Sequence, residues 1–183
     1  FAEAGFAVAL PDLFWRLQPR VDLGYGEDDR KAGFGFMQRF DFAAGIADVV
    51  ATADWLIEQS WGGGKVAFVG FCLGGKLAVM AGARRPSSAV ASFYGVKLEQ
   101  NLADLDRISC PLQIHVGDKD VHVPMETVRL LQSHLTGRAA ANVYAYPRAQ
   151  HGFFNERRAD VFDADATSTA FQRTIAMLKA ASA

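Results

Sequence analysis

The chain has 183 residues, half of them hydrophobic, with 19 basic side chains against 20 acidic ones and a net charge of −1. That is apolar material enough for one full core, and the even charge argues against a nucleic-acid surface or a polyacidic partner. No uninterrupted apolar run approaches the roughly 20 residues needed to cross a bilayer, and two cysteines make no disulfide framework. The expectation is one domain over residues 1–183, in the reducing cytoplasm and off the membrane, acting as a monomer or weak dimer. Because the chain opens at Phe1 and not at methionine, residues are expected to be missing upstream.

Taken in chain order, a helix tail ends near Gly5 and residues 6–10 (Phe6-Ala7-Val8-Ala9-Leu10) read as a strand. Asp41 opens a helix near 42–59, whose Phe42, Ile46, Val49, Val50, Ala53, Leu56 and Ile57 share one face. Gly62-Gly63-Gly64 turns the chain into a strand near 65–70, followed by a helix near 73–84 and a strand near 89–93. Further strands are expected near 112–117 and 142–147, with helices near 125–136 and 165–180. Such alternation builds a mostly parallel sheet covered by helices on both faces, a three-layer α/β fold. No repeat appears at solenoid or propeller periods.

The most informative stretch is Gly70-Phe71-Cys72-Leu73-Gly74-Gly75, between the apolar run Val66-Ala67-Phe68-Val69 and a helical segment. A sharp strand-to-helix turn forces its central residue into strained angles and brings its neighbours close, which favours glycine at Gly70 and Gly74. The turn exposes the side chain and aims a helix N-terminus at it, where partial positive charge favours a thiolate. The alternative is that Cys72 is a small buried hydrophobe.

An activated nucleophile needs a base, and the base needs a carboxylate to orient it; in α/β-hydrolases they follow in the order nucleophile, acid, histidine. Here Pro111–Gly117 runs as a strand into the loop Asp118-Lys119-Asp120-Val121-His122-Val123-Pro124, and 142–147 runs into Arg148-Ala149-Gln150-His151-Gly152-Phe153. Both loops then fall at the same sheet edge as Cys72, where ligands bind in such sheets. His115 reads as a core residue of its strand and His134 as helical. No histidine has a partner at metal-ligand spacing, so no metal is expected. Cys110, before Pro111, reads as structural.

With these residues in view, the chain resembles the dienelactone hydrolase family, the cysteine-dependent branch of the α/β-hydrolases. The resemblance runs from Phe1-Ala2-Glu3-Ala4-Gly5-Phe6 and Pro11-Asp12-Leu13, through Phe40-Asp41 and Gly45, to the cysteine motif. It continues over Phe93-Tyr94-Gly95-Val96 and the Asp120–Pro124 loop to His151-Gly152-Phe153. It implies Cys72 as nucleophile, Asp120 as acid and His151 as base, with Asp118 as the rival acid, and no cofactor. It also implies at least one more strand and helix before Phe1, with a second oxyanion-hole N–H and a glutamate that meets the resting thiol. The first oxyanion N–H falls to Leu73.

The implied reaction is hydrolysis of a small ester or lactone through a thioester, dienelactone (carboxymethylenebutenolide) hydrolysis being the type. The family's first carboxylate-binding arginine aligns with Arg30, and Asn155 stands at the second; Arg157 and Arg158 are near enough to substitute. Tyr94 is a candidate polar contact to substrate, and Trp15, Phe34, Phe36, Phe153 and Phe154 are candidates to line an apolar pocket. Two other readings remain: a non-catalytic or redox-sensing module built on Cys72, and a thioesterase or amidase with the same triad. A phosphate-binding turn is disfavoured, because Gly70–Gly75 lacks the third glycine of that motif.

Overall fold

The computed structural model describes residues 1–61 and 63–182. Four strands, β1 (Ala67–Phe71), β2 (Ala89–Phe93), β3 (Leu112–Gly117) and β4 (Ala141–Tyr146), pair in parallel in that spatial order. The α-helices are α1 (Glu27–Arg39), α2 (Phe42–Glu58), α3 (Leu73–Arg84), α4 (Leu102–Arg107), α5 (Met125–His134) and α6 (Ala164–Ser182).

Every residue of β2 and β3 is buried, as continuous apolar runs require of central parallel strands. Successive strand side chains point to opposite faces. Val90, Leu112, Ile114 and Val116 therefore enter one core, shared with Ile46 of α2, Leu77 of α3 and Val128 of α5. Ala91 and Phe93 enter the other, with Tyr146, Phe153 and Ala166 and Ala170 of α6. Burying each large aliphatic side chain is worth about 1.5–3 kcal/mol, so the two clusters clamp the sheet between its helical layers.

Local chemistry sets the boundaries. Asp41 caps α2, its Oδ1 accepting the Ala44 N–H at 3.1 Å. β4 stops at Tyr146 because Pro147 has no N–H to continue the ladder. Of the expected glycine turn, Gly63 and Gly64 take φ of 66° and 74°; Gly62 lies outside the described residues. The expected helix tail near Gly5 is a 3₁₀ turn, Ala2–Ala4, closed by Gly5 at φ 94°.

One expected strand is corrected. Residues 6–10 form no ladder with any described strand, and Val8 and Leu10 are 55% and 93% exposed. A strand is a pairing, and a run of apolar residues without a neighbour does not make one. Two helices, α1 and α4, escaped the sequence reading. α1 carries two glycines and buries Phe36 alone, too little apolar periodicity to be heard; α4 is six residues long.

Candidate active site

β1 ends at Phe71 and α3 starts at Leu73, so Cys72 alone makes the turn. Its φ of 53° and ψ of −115° lie outside the common regions for an L-residue, and such strain persists only where the surroundings enforce it. Here the Cys72 N–H donates to the Phe93 carbonyl at 3.0 Å, and the Cys72 carbonyl accepts from Lys76 at 3.2 Å. The glycine requirement falls differently from the expectation. A Cβ on Gly70 would stand 1.9 Å from the Gly74 carbonyl oxygen, whereas one on Gly74 would meet nothing within 4 Å. The second position that demands glycine is Gly75, where a Cβ would lie 2.9 Å from both Gly95 Cα and the Phe93 carbonyl oxygen. The elbow is tight on its strand side and against β2.

The acid and histidine loops follow β3 and β4. They are stitched together where the Asp118 Oδ1 accepts the Arg148 N–H at 2.7 Å and the Lys119 N–H donates to the Ala149 carbonyl at 3.0 Å. Asp118 is thus engaged as a loop brace. Asp120 is 4% exposed; its Oδ1 accepts from the backbone N–H groups of His122 and Val123 at 2.8 and 3.0 Å, and its Oδ2 lies 2.8 Å from His151 Nδ1. A buried carboxylate filled on both oxygens holds one orientation and imposes it on the imidazole.

Burial alone would push His151 down, but the hydrogen bond that Asp120 accepts from it and the nearby Cys72 side chain, with the charges of both, outweigh it and raise it to about 9. Asp120 and Cys72 thus both act on His151. Tyr94 closes over this group: its backbone takes φ 40°, its N–H donates to the His115 carbonyl at 2.7 Å, and its ring lies 4.9 Å from His151. Burial holds the Tyr94 hydroxyl above its ordinary range, reinforced by the charges of Cys72 and Asp120.

The other expected site residues are placed less closely. Phe153 is wholly buried and packs on Tyr94 and Tyr146 beneath the histidine loop, so it supports the loop and lines no open pocket. Phe154 packs on Phe71 and Phe93. Phe36 stacks on Phe14, and Trp15 donates to Asp48 of α2. Phe34 is 58% exposed on α1, and Arg30 and Arg157 are exposed; no hydrogen bond or ring contact joins these three to Cys72, Asp120 or His151. The charge of Arg30 reaches Asp160, which Arg158 holds as an ion pair. Asn155 donates to the Tyr25 hydroxyl at 2.9 Å, tying the loop before α1 to the histidine loop.

Two neighbours of the site were silent in the sequence. Tyr25 is 130 positions from its partner, beyond any local pattern. His122 was visible only as a loop residue, yet its ring stands 4.7 Å from that of His151 at 72°. Among the described residues no group of three His, Cys, Asp or Glu could hold a metal ion.

A model of the dienelactone hydrolase family matches residues 1–182. The chain belongs to the dienelactone hydrolase family. It is 32% identical over 176 residues to carboxymethylenebutenolidase 1 of Cupriavidus pinatubonensis, covering 96% of this chain and 74% of that one. It is also 32% identical over 152 residues to a carboxymethylenebutenolidase of Pseudomonas putida, covering 82% and 64%. The chain thus spans roughly two thirds to three quarters of these relatives. Among solved structures, a dienelactone hydrolase-like promiscuous phosphotriesterase from metagenomic libraries superimposes with a TM-score of 0.65. That match covers 75% of this chain and 60% of that one at 21% identity, and shows the α/β fold they share. No described helix of this family member is long and apolar enough to cross a membrane.

Proposed function

We propose that the chain is a carboxylic ester hydrolase that cleaves a small ester or lactone through Cys72, His151 and Asp120, with carboxymethylenebutenolide hydrolysis as the type reaction. One observation carries the reading: His151 Nδ1 lies 2.8 Å from the buried Asp120 carboxylate, on the side of the sheet where Cys72 makes the strained elbow and where the Cys72 side chain helps to raise His151. The names of its relatives point the same way. Both cysteines are free, which suits a reducing compartment such as the cytoplasm, and the only partner required is the small-molecule substrate.

In this mechanism His151 takes the Cys72 proton and the thiolate attacks the carbonyl carbon. The carbonyl oxygen becomes an oxyanion, which accepts a hydrogen bond from the Leu73 N–H, the first amide of α3 and one without an intrahelical acceptor. The carbon–oxygen bond of the ester then breaks, the leaving oxygen takes the proton from His151, and a thioester remains on Cys72. Water, deprotonated by His151, attacks the thioester; the acid departs and the thiol is restored. Asp120 keeps Nδ1 protonated throughout, so that Nε2 is the working nitrogen. Tyr94, over His151, and the exposed Arg30 and Arg157 are the candidates to contact substrate.

The test is hydrolysis of p-nitrophenyl acetate and of a dienelactone by the parent and by Cys72→Ala. Loss of turnover on both esters is expected. Equal hydrolysis by parent and variant would end the assignment of Cys72.

A further inference from the structure

Residues 21–40 comprise the loop before α1 and α1 itself, and they are tied to the rest of the chain unevenly. At the C-terminal end the anchors are apolar. Phe36 is 8% exposed and stacks on Phe14 at 5.3 Å, Phe40 meets the same ring edge-on, and Met37 packs against the main core. At the N-terminal end the tie is polar and single. Among the described residues, the bond that Asn155 Nδ2 donates to the Tyr25 hydroxyl is the only hydrogen bond between 21–40 and the rest of the chain.

The stretch between tie and anchor is weak in itself. Gly24 and Gly26 flank Tyr25, α1 starts at Gly26 without a side-chain cap, and Gly33 and Gly35 interrupt it. Glycine inside a helix and an uncapped start both reduce its stability. Phe34, on the same stretch, is 58% exposed, so burial does not make up the loss; segments of this kind open at low free energy.

The tie is fastened beside the site. Asn155 stands four residues past His151 on the same loop. Its N–H donates to the Gly152 carbonyl at 2.9 Å and its Oδ1 accepts from the Arg157 N–H at 3.1 Å, which holds the side-chain amide in place. The Tyr25 hydroxyl is close enough to Tyr94 to act on its phenol, as are Cys72 and Asp120. The charge of Arg30, in the first turn of α1, reaches Asp160 further along that loop.

We propose that residues 24–35 form a strap across the mouth of the Cys72 site, hinged at the Phe36 anchor and latched by the hydrogen bond between Tyr25 and Asn155, and that the latch sets the length of acyl chain the site admits. The proposal rests on Cys72 being where the substrate reacts. A short acyl group enters past the latched strap, whereas a long one needs it open. The apparent affinity for the long chain then scales with the open fraction. One hydrogen bond shifts such an equilibrium by roughly two- to tenfold.

The experiment compares p-nitrophenyl acetate with p-nitrophenyl octanoate, which share a leaving group, so that a difference between them reports the acyl side. Tyr25→Phe should raise kcat/KM for the octanoate by roughly two- to tenfold through a lower KM, and leave the acetate within about twofold. Asn155→Ala should raise the octanoate-to-acetate ratio by the same factor, and the double variant no further, because both substitutions remove one bond. Amide hydrogen exchange over residues 27–35 should quicken by a like factor in Tyr25→Phe while that of α6 stays unchanged. A ratio that keeps the parent's value in Tyr25→Phe, gains that add in the double variant, or unchanged exchange in α1 would each overturn the proposal. Cys72→Ala is run on both esters: continued turnover would mean that the Cys72 reading has failed, while exchange in α1 still decides whether the strap is latched.

Discussion

His151 and His115 are the same side chain, each packed against a tyrosine ring, His115 wholly buried and His151 half-buried, and the protein drives them in opposite directions. Burial is the leading influence on both and pushes both down. His115, stacked between Phe93 and Tyr144, keeps that sign: with the charge of Arg173 added, it falls to about 3. Its partners are neutral. Gln113 Nε2 donates to the Arg173 carbonyl, which leaves its Oε1 to face His115 Nε2 at 3.2 Å, while Nδ1 lies 2.8 Å from the Tyr146 hydroxyl. An imidazole so held has a donor and an acceptor role filled and no use for a second proton. His151 has a carboxylate and a thiol instead, and they reverse the sign to about 9. The neighbours set the direction for each: neutral partners leave His115 low, whereas a carboxylate and a thiol raise His151.

The comparison predicts different phenotypes. His151→Ala should lower kcat/KM for p-nitrophenyl acetate by at least about 10³-fold, since it removes the proton carrier, and should also lower the melting curve at neutral pH, since it leaves the buried Asp120 Oδ2 without its partner. Asp120→Asn comes next, with a loss on the order of 10²–10⁴. It should also move the alkaline limb of the pH–rate profile, set by His151 near 9 in the parent, to lower pH, because a hydrogen bond and a charge that raise His151 are gone. A parent profile without that limb would break the comparison.

His115→Leu should cost stability and spare activity. It removes one partner each from the Tyr146 hydroxyl, Gln113 and Thr174, which keep Arg173, the Arg173 carbonyl and the Ala170 carbonyl respectively, at about 1–3 kcal/mol of stability by denaturant titration, with kcat/KM per folded molecule within about threefold of the parent. The smallest effect is in the pH dependence of stability. Between about pH 6.5 and 9 the folded chain keeps a proton on His151 that the unfolded chain has released, so that contribution is complete below 6.5 and fades as pH rises. Between about 6.5 and 3 the unfolded chain takes up a proton at the His115 position that the folded chain refuses, so stability fades as pH falls. Melting curves across pH for the parent, His151→Gln and His115→Leu should lose each slope separately.

Much of this was legible in the sequence. β2, β3 and α3 declared themselves because buried parallel strands and their packed helix are predominantly apolar, with Ser92, Gln113, His115 and Lys76 as the polar exceptions. The loops of Asp120 and His151 could be placed because each follows such a strand. What was illegible depends on pairing and distance. The residues Phe6–Leu10 have the apolar run of a strand but no partner among the described strands. Gly74 looks as obligatory as Gly70 until the space around each is known. Phe153 reads as a pocket residue by its place after His151, yet the loop folds it inward. The contacts of His122 with His151 and of Tyr25 with Asn155 arise only when loops meet.

The central claim is that Cys72 is acylated in turnover. Acid quenching of the parent during hydrolysis of p-nitrophenyl acetate, followed by peptide mass analysis, should find one acetyl group on the peptide containing Cys72 and none in Cys72→Ala. Rapid hydrolysis with the acetyl group on another residue, or at an unchanged rate in Cys72→Ala, would contradict it.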